Sequence, residues 1–87
     1  MVIEHFKNND ALAVYRRFNN EGRKMPEGLK FIESWVAANL SRCFQIVECD
    51  DLALIQRWIS DWQDIVEFEV VPIVTSKQTF EIMKPKL

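Results

Sequence analysis

Residues 29–49 read LKFIESWVAANLSRCFQIVEC, and this stretch decides the fold. Its two halves, 29–38 and 42–49, are rich in the β-branched and aromatic residues that favour strands. Only Asn39, Leu40 and Ser41 separate the two halves. So short a connection predicts an antiparallel hairpin, because parallel strands need a long crossover between them.

An amphipathic helix is predicted on each side of this hairpin. The first begins after the strand-stopping cluster 8–10 and ends at Gly22, and its apolar stripe consists of Ala11, Val14, Tyr15 and Phe18. The second is capped by Asp50 or Asp51, and its stripe consists of Leu52, Ile55, Trp58, Ile59, Trp62 and Ile65. Both helices should therefore pack one face on the sheet, with Trp58 and Trp62 as core anchors.

Two outer strands and a tail helix complete the predicted chain. Residues 1–6 and 66–74 have strand patterns, and Pro72 indicates that the last strand is at a sheet edge or that Pro72 is near its end. Ser76 begins a short helix with Phe80 and Met83 on one side. The order β-α-β-β-α-β predicts an α+β, ferredoxin-like fold, whose antiparallel sheet has the order 4-1-3-2 with two helices on one face. We expect one domain over residues 1–87, with a core of 1–75 and a tail of 76–87.

The other face of this sheet has no helix to cover it. Every strand carries apolar residues at both parities, so an isolated chain would expose Phe, Val or Ile to water. We therefore expect a homodimer in which a second copy of the chain covers this open face.

Repetition of the strand-helix-strand unit predicts which polar residues share a face. Glu4 and Glu48 occupy similar places 44 residues apart, so a face-preserving pseudo-twofold axis puts them together. Burying an ionised carboxylate under helices is costly, and we therefore expect both on the open face, with Phe44. His5 and Gln45 would lie on the opposite face.

The edge strands are assigned by the same reasoning. Glu33 favours the open face for its alternating set, which contains Phe31, Glu33 and Trp35. Trp35 would then border the same cavity as Glu4. In the last strand, Glu67 and Glu69 should face outward while Phe68 and Val70 lie under the helices.

Glu4 and His5 are the candidate catalytic residues. A carboxyl with a raised pKa or a lone histidine beside a concave face can act as a general acid or base. The alternatives are a structural or solvated His5 and a salt-paired or solvated Glu4. Candidate ligand-binding residues are Trp35, Phe44, Gln45 and Glu48. Basic residues also gather near the first helix and its loop, where they form either a solvated rim or an attraction for anions; they are Arg16, Arg17, Arg23, Lys24 and Lys30.

Composition argues against several other kinds of site. The chain has a single histidine, and its acidic residues lack the spacing of a known metal site, so we expect no metal. Its two glycines cannot form a glycine-rich phosphate-binding loop, so we expect no cofactor. A net charge of −2 argues against nucleic acid as a binding partner. No apolar run is long enough to predict a membrane span. No signal peptide is evident, so we expect a cytoplasmic location. Cys43 and Cys49 would lie roughly 20 Å apart in one strand, beyond disulfide reach.

Five runs resemble a family of small bacterial proteins of unknown function within the dimeric α/β-barrel superfamily; they are residues 2–7, 25–29, 34–36, 42–45 and 48–50. The resemblance extends from Met1 to about Ser76 and implies two ferredoxin-like sheets packed face to face. Superfamily relatives include cofactor-independent monooxygenases and muconolactone isomerases, but this chain matches none of their active sites. The expected function is binding of a small apolar or aromatic molecule, or cofactor-independent chemistry on it; the alternative is a structural or regulatory homodimer without chemistry.

Overall fold

The predicted β-α-β-β-α-β order is present in the computed structural model, which describes residues 1–87. The strands are β1 (Val2–Phe6), β2 (Lys30–Val36), β3 (Arg42–Glu48) and β4 (Val66–Val70); the helices are α1 (Ala11–Glu21), α2 (Ala53–Ser60) and α3 (Ser76–Met83). All neighbouring strands are antiparallel and follow the order β2-β3-β1-β4, which confirms the predicted 4-1-3-2 arrangement. Each helix falls short of the length and apolarity that crossing a membrane requires.

Local capping explains where α1 begins and ends. The Asp10 side chain accepts a hydrogen bond from the Ala13 N–H at 3.1 Å, which satisfies one free donor of the first turn. At the other end, Gly22 has a φ of 71°, a conformation that favours glycine, and its N–H donates to the Phe18 carbonyl at 2.8 Å. The predicted limits of this helix are therefore confirmed.

The second helix is shorter than its apolar stripe predicts. It ends at Ser60, and turns carry the chain from there to β4. Trp62 nevertheless stays buried, because its backbone N–H still donates to the Ile59 carbonyl and keeps the side chain on the stripe. At the start of the helix, the Asp51 side chain accepts from the Ala53 N–H at 2.9 Å.

The register of β1 against β3 determines which side chains share a face. Val2 is paired with Gln45 and Glu4 with Cys43, and directly paired antiparallel residues project to the same side. Val2, Glu4 and Phe6 are buried, so this side is the one that the helices cover, and we call it the helix face. The opposite side, the open face, carries Ile3, His5, Glu33, Trp35, Phe44, Ile46, Glu67 and Glu69.

The core lies on the helix face and contains both anchor tryptophans. Trp58 and Trp62 are buried, as predicted, and both indole N–H groups donate to the same acceptor, the Arg23 carbonyl, at 2.9 Å. This pair of bonds fastens the loop after α1 to α2. The remaining core residues are Val2, Phe6, Val14, Leu29, Cys43, Ile55 and Val66.

The C-terminal tail stands away from this core. β4 ends at Val70 instead of the predicted Val74, and every residue from Pro72 to Leu87 is exposed. Helix α3 has its own capping box, in which Thr75 and Gln78 exchange side-chain and backbone hydrogen bonds. The tail helix is therefore stabilised locally, by its own cap, although no side-chain hydrogen bond or ion pair joins it to the rest of the chain.

Candidate functional site

A cavity of about 100 Å³ lies between the helix face of the sheet and the two core helices. Strand residues form its floor, α1 and α2 form its walls, and the loop after α1 contributes one side. Its lining is mostly apolar and aromatic, and consists of Glu4, Phe6, Val14, Tyr15, Phe18, Arg23, Ser34, Val36, Cys43, Gln45, Trp58 and Trp62. A space of this size exceeds what one water molecule needs.

Two polar side chains are buried on the floor of the cavity. Glu4 is 6% exposed and Gln45 is 5% exposed, and the Gln45 Nε2 donates to Glu4 Oε2 at 2.8 Å. The other amide atom, Gln45 Oε1, is buried and has no hydrogen-bond partner in the protein. A buried acceptor left unpaired is costly, so this oxygen is a place where a hydrogen-bond donor would be favoured.

Burial changes the protonation of the groups around this pair. It raises the pKa of the Glu4 carboxyl, although hydrogen bonding from Gln45 and Cys43 and the positive charge of Arg23 oppose the rise. Burial also raises the pKa of the Cys43 thiol to about 12, with the Glu4 charge adding to the effect. Cys43 is therefore a neutral thiol near pH 7 and has little nucleophilic character.

The third functional group of the cavity is the Arg23 guanidinium. It stacks on the Phe31 ring at 3.8 Å and on the Phe18 ring at 5.1 Å, measured to the ring centroids. The guanidinium forms no ion pair with any carboxylate of the chain and no side-chain hydrogen bond. A half-buried cation with free donors thus lines an otherwise apolar cavity.

Tyr15 and Phe18 form the exposed part of the α1 wall. Both side chains are partly open to solvent, so the entrance lies beside them. Burial raises the pKa of the Tyr15 hydroxyl, which therefore stays protonated at neutral pH.

The structure regroups the six residues predicted to form a site. Glu4 and Gln45 lie together on the helix face, whereas His5, Trp35 and Phe44 lie on the open face. Glu48 follows Phe44 and Ile46 in alternation on the open side, paired across the sheet with Lys30. No cavity is shared by Glu4 and Trp35. The predicted placement of Glu4 on the open face with Glu48 is wrong, and so is the placement of His5 on the helix face.

The physical reason for this correction is the sheet register. Glu4 is paired with Cys43, so even-numbered residues of β1 lie on the same face as odd-numbered residues of β3. Glu4 and Glu48 are 44 positions apart and both even-numbered, and they therefore lie on opposite faces. Burial of a carboxyl is tolerated because Gln45 donates to it and its pKa rises. The catalytic and ligand-binding roles proposed for these residues stay predictions.

The edge strands agree with prediction except at one residue. Glu33 and Trp35 face outward as expected, and Glu67 and Glu69 are paired with the open-face residues His5 and Ile3. A bulge between Phe31 and Glu33 shifts the alternation, so Phe31 is paired with Val47 and lies under Arg23 on the other side. Phe68 lies under the helices as predicted, where its ring packs edge-on against Trp58 at 5.8 Å.

His5 lies in a separate, shallow groove on the open face. That groove is lined by the turn of the β2-β3 hairpin and by Arg42, and it contains no carboxylate. The Arg42 guanidinium stacks on the Phe44 ring at 5.0 Å instead of approaching an anion. His5 and Glu4 therefore cannot act on one small molecule, since the sheet separates them.

Sequence reasoning missed the part that the first helix and its loop play in the cavity. Arg23 was recognised only as one member of a basic cluster, and Tyr15 and Phe18 only as helix stripe residues. The available signal was the pair of aromatic residues on α1, Tyr15 and Phe18, followed by an arginine directly after Gly22, the glycine that ends the helix. Nowhere does the structure bring three metal-ligating side chains together.

Comparison with protein families places this chain in a family. A family model described as "Domain of unknown function (DUF3303)" matches residues 1–87, the whole of the chain. Searches of curated proteins and of solved structures each found no match.

Proposed function

Because this chain belongs to the DUF3303 family of domains of unknown function, we propose its function from its own cavity: it binds a small, mainly aromatic molecule between the sheet and the helices. The supporting observation is the buried, unpartnered Gln45 Oε1 beside the Glu4 carboxyl. Most buried polar atoms in proteins have a hydrogen-bond partner, so an orphan at the floor of a cavity points to a bound donor.

The size and walls of the cavity set the kind of molecule. Apolar cavities of roughly 150 Å³ bind a single benzene ring, and this cavity of about 100 Å³ also opens toward solvent beside Tyr15. Phe6, Trp58 and Trp62 present aromatic surface to the interior. A one-ring compound therefore suits the space better than a nucleotide or a fused-ring cofactor does.

Glu4 is the group that would carry out chemistry in this site. Its carboxyl lies inside the cavity, and burial raises its pKa above that of an ordinary glutamate, so that it holds a proton more readily. We assign it the role of acid-base group in a cofactor-independent proton transfer. The protonated carboxyl gives its proton to one atom of the ligand, and the carboxylate that remains takes a proton from another atom, so the reaction is an isomerisation without an external reactant.

Binding can be tested by nuclear magnetic resonance with monocyclic compounds such as phenol, benzoate and toluene. Ligands in the cavity should shift the indole N–H signals of Trp58 and Trp62 and leave that of Trp35, on the opposite face, unchanged. Ser34→Leu should fill the cavity and abolish these shifts, whereas Ser34→Ala should preserve them. Equal shifts in the two variants would contradict the cavity as the binding site.

A role for Glu4 is tested separately from binding. Glu4→Gln should bind the same compounds, and it should stop the exchange of the protons next to the carbonyl of an enolisable one-ring ketone, such as 2-cyclohexenone, with deuterium from solvent. His5→Gln serves as the control, because His5 lies on the other face and should leave exchange unchanged. Exchange that survives Glu4→Gln would remove Glu4 from this role.

We further propose that the chain forms a homodimer through its open face, as expected for the dimeric α/β-barrel superfamily. Trp35 is 55% exposed there, and the half-buried Ile3, Phe44 and Ile46 lie on the same side. A second copy suits this face because the exposed tail has three lysines, Lys77, Lys84 and Lys86, against one acidic residue, Glu81, whereas the open face has four carboxylates, Glu33, Glu48, Glu67 and Glu69, against Lys30 and Arg42.

Sedimentation velocity at micromolar concentration should show a dimer. Trp35→Glu should yield a folded monomer, whereas Leu12→Glu, an exposed apolar position on α1, should leave the dimer intact. A wild-type monomer would contradict the dimer without affecting the cavity proposal. The predicted cytoplasmic location stays a prediction.

A further inference from the structure

We propose that the ligand is a monocyclic aromatic carboxylate, whose carboxylate binds Arg23 at the entrance and whose far end donates a hydrogen bond to Gln45 Oε1. This inference rests on the proposed small-molecule function and names the chemical class of the ligand. The protein leaves two polar groups of the cavity without partners, the Arg23 guanidinium and Gln45 Oε1.

Arg23 is held in place for recognition of an anion. Its guanidinium stacks on Phe31 and Phe18, so the plane is fixed while its N–H edges stay free. Both tryptophan N–H groups bind the Arg23 carbonyl and fix the backbone from which the side chain projects. A planar, oriented guanidinium is the group that binds a carboxylate through two parallel hydrogen bonds.

Neighbouring cations are used differently. Arg17 pairs with Asp64 at 2.6 Å, and Lys24 lies 3.3 Å from Glu21. Arg16 is exposed and does not line the cavity. Arg23 is therefore the cation that lines the cavity, and it forms no ion pair with an acidic residue of the chain.

The same charges argue against a cationic ligand. An ammonium group entering the cavity would pass close to Arg23, which repels it. Glu4 attracts a cation in its ionised form, but Gln45 already donates to that carboxyl, and burial favours the neutral form. A ligand anion is attracted by Arg23 and stays near solvent, where its desolvation is smallest.

At the floor of the cavity, the unpaired acceptor Gln45 Oε1 favours a ligand with a hydrogen-bond donor. Gln45 Nε2 already donates to Glu4, whereas Oε1 is the amide atom that has no partner in the protein. A hydroxyl or amino group on the ring would satisfy this oxygen, whereas a bare ring would leave it unpaired. The favoured arrangement is thus a ring with an acid at one end and a donor at the other.

Affinities of phenol, benzoate and 4-hydroxybenzoate for the wild type, measured by the tryptophan indole shifts, test both ends. We expect 4-hydroxybenzoate to bind about tenfold or more tightly than either partial compound, the scale of one charge-assisted or buried hydrogen bond. Arg23→Met should abolish the advantage of 4-hydroxybenzoate over phenol while phenol still binds. Arg16→Met is the matched control, which removes one exposed charge from the same region and should retain the advantage.

Each result separates this inference from the function on which it rests. The carboxylate assignment would be overturned if phenol bound the wild type as tightly as 4-hydroxybenzoate does. It would also be overturned if Arg23→Met and Arg16→Met bound 4-hydroxybenzoate with equal affinity. Either result would leave the proposed binding function of the cavity intact. Benzoate as tight as 4-hydroxybenzoate would overturn the donor end. Failure of all three compounds to shift the Trp58 and Trp62 signals would overturn both proposals together.

Discussion

The two faces of the sheet, built from the same four strands, have opposite characters. The helix face is apolar and covered, yet it contains the buried Glu4–Gln45 pair beside a cavity. The open face carries exposed carboxylates on both edge strands, Glu33 on β2 and Glu67 and Glu69 on β4, together with the exposed Trp35. The difference shows that a carboxyl's position on a strand says little about its environment, because a single donor such as Gln45 makes burial tolerable.

The largest expected difference between the faces concerns two tryptophans. Trp58→Ala should lower the free energy of unfolding by about 3–5 kcal/mol, because Trp58 is fully buried and its N–H binds the Arg23 carbonyl. Trp35→Ala on the open face should cost less than about 1 kcal/mol in a dilute, monomeric sample. Urea unfolding followed by circular dichroism measures both, and similar losses would contradict the assignment of faces.

The pH dependence of stability sharpens the comparison at the buried acid. Because the folded state raises the pKa of Glu4, it holds this proton more tightly than the unfolded chain does. The contribution of Glu4 to stability is therefore fully present below about pH 4.5 and is lost as pH rises through the folded pKa. Glu4→Gln, which cannot ionise, should become more stable than the wild type on the alkaline side, by on the order of 1 kcal/mol.

The matched control for that prediction lies on the other face. Glu69→Gln also removes one carboxylate, but an exposed one, and should retain the pH dependence that Glu4 contributes. Urea unfolding between pH 4 and pH 8 measures both variants against the wild type. The advantage of Glu4→Gln over the wild type in free energy of unfolding should grow as pH rises. If this advantage became smaller with rising pH, Glu4 would not be a buried carboxyl with a raised pKa.

Two glycines beside the helix-covered side give a smaller effect. Gly22 and Gly28 have φ values of 71° and 92°, so alanine at either should cost on the order of 1 kcal/mol. An added Cβ at Gly28 would lie 3.0 Å from Leu54 Cδ1, whereas nothing lies within 4 Å at Gly22. Gly28→Ala should therefore lower the thermal midpoint more than Gly22→Ala, and the reverse order would contradict close packing of this loop on α2.

The smallest expected effect is at the surface pair between Arg17 and Asp64. Hydrogen bonding from Arg17 lowers the pKa of Asp64 to about 2, so the pair stabilises the fold above the unfolded value of 3.8 and this contribution is lost as pH falls toward 2. Asp64 is exposed, and salt should screen the interaction. Asp64→Asn should differ slightly from the wild type at pH 6 in low salt and match it in 1 M salt; a difference unchanged by salt would contradict an electrostatic origin.

The sheet order could be predicted from sequence because it depends on features that lie close together along the chain. The three-residue turn at Asn39–Ser41 requires a hairpin, and the helix caps at Asp10 and Gly22 mark their own positions. The right-handed crossover rule then leaves few arrangements for the outer strands. These are short-range signals, and each of them is present in the structure.

The faces of the candidate site could not be predicted in the same way, because they depend on how distant strands pair. Whether Glu4 lies opposite Cys43 or one residue away is a property of two segments 39 positions apart, and a shift of one reverses every side chain. The bulge in β2 has no Gly or Pro to announce it, yet it moves Phe31 beneath Arg23. The sequence therefore could not distinguish Arg23, the cation of the cavity, from the other basic residues near α1.

The shared acceptor of the two core tryptophans determines how the cavity can exchange its contents. The Arg23 carbonyl accepts hydrogen bonds from both indole N–H groups, so moving that loop away from α2 and the turn after it breaks two partly buried hydrogen bonds at once. The Tyr15 and Phe18 side chains make no hydrogen bond and need only change rotamer. Entry and exit should thus follow fast side-chain rotation on α1, on the nanosecond scale, instead of slow opening of a loop.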